Sequence, residues 1–132
     1  MTASSERYPL LDPVAFSLAL FLAPLLVALL FFWVALIPVF AVPFGMPVYL
    51  IFATPMLLVL VTRIPVTPWH FGLCGFALEL ALVLFHAATE HLILYDRGLD
   101  VLLLWGLPIA PLWTATFARL YRYFYNAIYR AL

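Results

Sequence analysis

Charge is what this 132-residue chain has least of: 9% of its residues are charged, lysine is missing altogether, and six arginines balance six carboxylates to a net charge of zero. With no basic stripe to neutralise a run of phosphates, nucleic acid is excluded as a partner. A single cysteine, Cys74, rules out an intrachain disulfide, and nothing beside it has metal-ligand spacing. It reads as a small packing residue. Three histidines are too few for the multiple histidine boxes of membrane desaturases and hydroxylases. No G-x-S-x-G, Walker loop or dinucleotide fingerprint occurs, so the chain reads as a non-enzyme with no cofactor.

Apolar residues make up 68% of the chain, with a mean hydropathy of +1.18, outside the range of soluble domains. The expectation is an all-α integral membrane protein in a single domain, 1–132, with the lipid bilayer as its solvent. Apolar stretches cover about 14–37, 47–62, 69–94 and 99–118. A helix rises ~1.5 Å per residue and the hydrocarbon core is ~30 Å thick, so ~20 residues cross it. Four transmembrane helices follow, the second borrowing from the connector at 38–47, where Pro43 and Pro47 are expected to set a tight hairpin. The first apolar run is far longer than the ~7–15-residue core of a signal peptide and reads as a retained span.

Arginine placement predicts the orientation. With both termini cytoplasmic, Arg7, Arg63, Arg119, Arg122 and Arg130 lie inside and only Arg97 outside. A bacterial inner membrane is the expected location. In the "YDRGLD" turn, Gly98 suits a helix C-terminus and Asp100 an N-cap. Thr67 and Pro68 suit an N-cap and first helical position for the third span, with Trp69 and His70 at the interface. Pro24, Pro55, Pro108 and Pro111 fall inside spans and read as kinks.

Two segments stand out as candidate sites. From 119 to 132 an amphipathic pattern places Arg119, Arg122, Tyr129 and Arg130 along one helical face, with Phe117, Leu120, Phe124 and Ile128 opposite. This helix continues the fourth span or lies on the cytoplasmic surface, and with Tyr125 it forms an interfacial anchor or docking surface.

The second is "ELALVLFHAATEH", residues 79–91. At 100° per residue, His86 and Glu90 fall within about 20° of Glu79, above Gly72 and Gly75 on nearly the same face, while His91 drops to another side. Small residues admit a neighbouring backbone, whereas ionisable ones need partners out of lipid, where a charge costs ~2.5–3.5 kcal/mol. His86 and Glu90 can pair along the helix. Two ligands on one face fall short of a zinc site, so no metal is expected. The face formed by Glu79, His86, Glu90, Gly72 and Gly75 therefore reads in two ways. One is a docking face of a small accessory or assembly subunit of a larger membrane complex. The alternative is the proton-binding face of a small proton- or cation-coupled transporter acting as a homo-oligomer, with Glu79 holding the proton.

Overall fold

The structure, a computed structural model, describes residues 11–31, 37–89 and 97–130, all of their regular structure helical. Four helices follow in order: α1 (Pro13–Phe31), α2 (Ile37–Arg63), α3 (Pro68–Thr89) and α4 (Arg97–Arg130). Pro13–Phe31, Gly45–Arg63 and Pro68–Thr89 are each long and apolar enough to cross a membrane, and the chain is a membrane protein.

Local chemistry sets two of the starts. Asp12 caps α1, its Oδ1 accepting the N–H groups of Val14 at 2.9 Å and Ala15 at 2.8 Å, with Pro13 at the position where a missing donor costs nothing. Thr67 and Pro68 repeat the device on α3: Phe71 N–H donates to the Thr67 carbonyl at 3.1 Å and His70 N–H reaches Thr67 Oγ1 at 3.4 Å. Thr67 Oγ1 also hydrogen-bonds His70 Nδ1. His70 is thus part of a helix start on the exposed surface, beside Trp69, which is 74% exposed.

The connector expected to turn at 38–47 is instead helix. α2 runs unbroken from Ile37 to Arg63 with Pro43, Pro47 and Pro55 inside it. A proline removes only one donor and crowds only the preceding turn, and all three of these rings face outward, where crowding is least. The connection between α1 and α2, residues 32–36, lies outside the described residues. Likewise Gly98 and Asp100 lie within the first turn of α4, not before it. The C-terminal segment continues the fourth helix: α4 is one helix of 34 residues, continuous through Pro108 and Pro111. At 1.5 Å per residue that is about 50 Å, well beyond a ~30 Å hydrocarbon layer.

α4 is the centre of the bundle. α3 packs along it most extensively and α1 next, while α2 leans mainly on α1. α1 buries a small-residue stripe, Ala15, Ala19 and Ala23, all fully buried, which permits close backbone approach where lipid removes most of the hydrophobic drive. Aromatic rings fill the join. Phe117 meets Phe16 edge-on at 5.2 Å, and stacks on Phe71 at 6.0 Å and Tyr121 at 5.9 Å. The Tyr121 hydroxyl then accepts the Asp12 N–H at 3.3 Å, tying the head of α1 to α4.

Although only residues 64–67 separate them, α2 and α3 share little contact. A cleft is left between them, with α4 as its floor.

Candidate functional site

That cleft has a volume of about 310 Å³ and takes its walls from α2, α3 and α4. It lies toward the end of the bundle remote from the 64–67 connector. Tyr49 and Phe52 come from α2, Glu79, Phe85, His86 and Thr89 from α3, and Trp105, Gly106, Trp113 and Thr114 from α4.

Glycines explain how α3 and α4 come close enough to form the floor. A Cβ on Gly75 would collide with Thr114 Oγ1 and stand 2.9 Å from the Ala110 carbonyl oxygen. One on Gly72 would lie at ordinary contact distance, 3.5 Å from the Pro111 carbonyl and 3.6 Å from Ala115 Cβ. Gly106 serves the opposite surface: the Glu79 side chain lies over it, and a Cβ there would overlap the Glu79 carboxyl. Gly75 and Gly106 thus admit, respectively, the α4 backbone and a carboxyl group.

Glu79 sits at the middle of α3, half-buried, with no hydrogen bond or ion pair among the described residues. The other polar groups of the cleft are committed or covered. Thr89 Oγ1 donates to the Phe85 carbonyl at 2.8 Å and Thr114 Oγ1 to the Ala110 carbonyl at 2.9 Å. His86 has an interaction of its own. Tyr49 Oη and Trp113 Nε1 have no hydrogen-bond partner among the described residues, yet each exposes less than 1 Å², their rings meeting edge-on at 5.1 Å. No arginine is among the described residues that line the cleft.

Of the residues singled out from the sequence, Gly72, Gly75, Glu79 and His86 share one side of α3, and the two glycines with Glu79 face α4 of the same chain. Glu90 lies outside the described residues, as does His91. The C-terminal set is divided. Arg119 and Arg122 are exposed, Tyr129 is 47% exposed, and Tyr125 packs against the core between Tyr121 and Tyr129. Arg130 ends α4, its side chain outside the described set. No cluster of three metal-ligating side chains occurs among the described residues.

Sequence reasoning passed over Tyr49, Gly106 and Trp113. Gly106 had a signal, being a glycine in an apolar helix at the depth of an unmatched glutamate. The two aromatic residues had none, since mid-span Tyr and Trp look the same whether they face lipid or a cleft. No protein-family model, curated protein or solved structure matches the chain.

Proposed function

We propose that the protein is a small, non-catalytic proton- or cation-coupled carrier in which Glu79 is the ion-binding group. One observation carries this reading: a carboxyl with no partner among the described residues, in the middle of an apolar helix, faces a cleft formed by three helices of its own chain. A carboxyl placed at that depth is expensive unless a proton, a cation or a hydrogen-bond partner is at hand, and such groups commonly mark ion pathways.

In the same reading α4 is a fourth span, both termini are cytoplasmic, and the membrane is a bacterial inner membrane. Five of six arginines near the cytoplasmic ends of helices support this orientation. The carrier acts as a homo-oligomer. A cleft that opens to one side of the bundle can then be closed by a second copy.

Liposomes loaded with a pH-sensitive dye, and given an imposed pH gradient under a potassium–valinomycin clamp, test the carrier. Dissipation that exceeds protein-free liposomes and disappears in Glu79→Gln is expected. Flux equal in wild type and Glu79→Gln, or no flux at all, rejects it.

A second reading is favoured by a different feature, the length of α4. Its last turns carry exposed Arg119, Arg122, Tyr123 and Tyr129, residue types enriched at protein interfaces. On that reading the protein is an accessory or assembly subunit of a larger membrane complex, held by its C-terminal helix. Co-purification in mild detergent of defined partners that are lost from Arg119→Ala/Arg122→Ala supports it; a homogeneous single-component particle opposes it.

A further inference from the structure

We infer that the cleft between α2, α3 and α4 is a binding site for an organic monocation with an apolar, ring-sized body, such as a protonated or quaternary amine. The inference rests on Glu79 being the ion-binding group of the proposed carrier and adds the chemical class of what it binds.

Charge comes first. Among the described lining residues, the hydroxyls of Thr89 and Thr114 already donate to carbonyls of their own helices. His86 has an interaction of its own, and Tyr49 Oη and Trp113 Nε1 are shut off from the open space by their own packing. What the cleft presents to an occupant is the Glu79 carboxyl; no arginine is among the described lining residues, and the one basic side chain there, His86, stands seven residues, about two helical turns or ~10 Å, along α3 from it and has an interaction of its own. A carboxylate in apolar surroundings selects for positive charge and against negative charge by several kcal/mol-scale terms that water would otherwise screen.

The walls say which kind of cation. Tyr49, Phe52, Phe85, Trp105 and Trp113 all line the cleft, and aromatic faces attract cations as well as apolar surface. A bare metal ion fits poorly. Calcium takes 6–8 oxygen ligands and magnesium near-octahedral geometry, whereas the side-chain oxygens of the described lining are one carboxyl, two threonine hydroxyls and the covered Tyr49 phenol, short of either shell. An organic cation asks for one counter-charge and otherwise for apolar contact. A volume of about 310 Å³ lies at the lower end of the ~300–1,000 Å³ usual for small-molecule sites, enough for a body of one or two rings.

Gly106 completes the arrangement. Because position 106 carries no side chain, the Glu79 carboxyl lies against α4 where a Cβ would otherwise stand.

Binding to the purified full-length protein in detergent, followed by tryptophan fluorescence because Trp105 and Trp113 line the cleft, tests this. The probes are benzyltrimethylammonium and neopentylbenzene, which has the same shape with carbon in place of the charged nitrogen. Wild type should bind the cation at least tenfold more tightly than the neutral hydrocarbon. Glu79→Gln should abolish that preference and leave the hydrocarbon's affinity unchanged, and Glu79→Asp should retain most of it. Equal affinity for both probes in wild type overturns the inference without reliance on any variant, as does tight cation binding by a folded Glu79→Gln or no binding of the cation at all. Cation preference without proton flux rejects the carrier and leaves the site standing. Flux without cation preference does the reverse.

Discussion

Glu79 on α3 lies over Gly106 on α4, so closely that a Cβ at position 106 would stand 3.2 Å from Glu79 Cγ and overlap its carboxyl. The relationship is mutual: the glycine makes room for the acid, and the acid fills what would be a groove in α4.

Gly106→Ala should therefore act on the site more than on the fold. The atom it strikes is the free end of a flexible side chain, which can rotate away at an off-rotamer cost of about 0.5–1.5 kcal/mol. The melting temperature in detergent should move by a few degrees at most, while any signal that depends on Glu79, such as proton flux or cation affinity, should fall severalfold. A large loss of melting temperature with the signal intact would contradict this assignment of Gly106.

Two glycines one helical turn apart should respond with opposite sign. At Gly75 a methyl would press on the Ala110 carbonyl at 2.9 Å as well as on Thr114, and neither backbone can yield without moving α3 from α4. Gly75→Ala should cost about 1–3 kcal/mol. Gly72→Ala meets only ordinary contacts at 3.5 and 3.6 Å and gains the helix preference of alanine, so it should be neutral or stabilising by up to about 1 kcal/mol. Thermal unfolding of the two variants side by side decides.

Asp12→Ala removes the acceptor for two N–H groups at the head of α1 and should cost about 1 kcal/mol. Asp12→Asn, which can still accept at that position, should lose only a fraction of it. The comparison, made by thermal melting, separates the cap from the carboxylate charge.

Phe117 is fully buried where α1, α3 and α4 meet, touching Phe16, Phe71 and Tyr121. Phe117→Ala should destabilise the bundle by about 3–5 kcal/mol, the usual cost of an aromatic-sized void, and Phe117→Leu by clearly less. Unfolding in detergent mixtures of increasing denaturing strength would measure both. Equal effects would place the ring outside the packing centre.

Much of the architecture was legible in the chain because it depends on short-range chemistry. Apolar run lengths mark Pro13–Phe31, Gly45–Arg63 and Pro68–Thr89 as helices fit to cross a membrane, and Thr67 with Pro68 marks a helix start. Gly72, Gly75, Glu79 and His86 share a side because seven- and four-residue steps return to one face of any α-helix.

Tertiary structure decided what that side meets. Helical projection places Glu79 on a face but carries no information about which helix lies opposite, and the answer, α4 with its Gly106, sits 27 positions away in sequence. The course of 37–47 was decided in the same way. Prolines taken singly favour a turn, yet a helix can carry them when their rings face outward and the remaining hydrogen bonds hold. The cleft itself belongs to neither α2 nor α3 alone. It exists because two helices joined by residues 64–67 both lean on other neighbours instead of on each other, a choice made by the summed packing of four helices that no local pattern encodes.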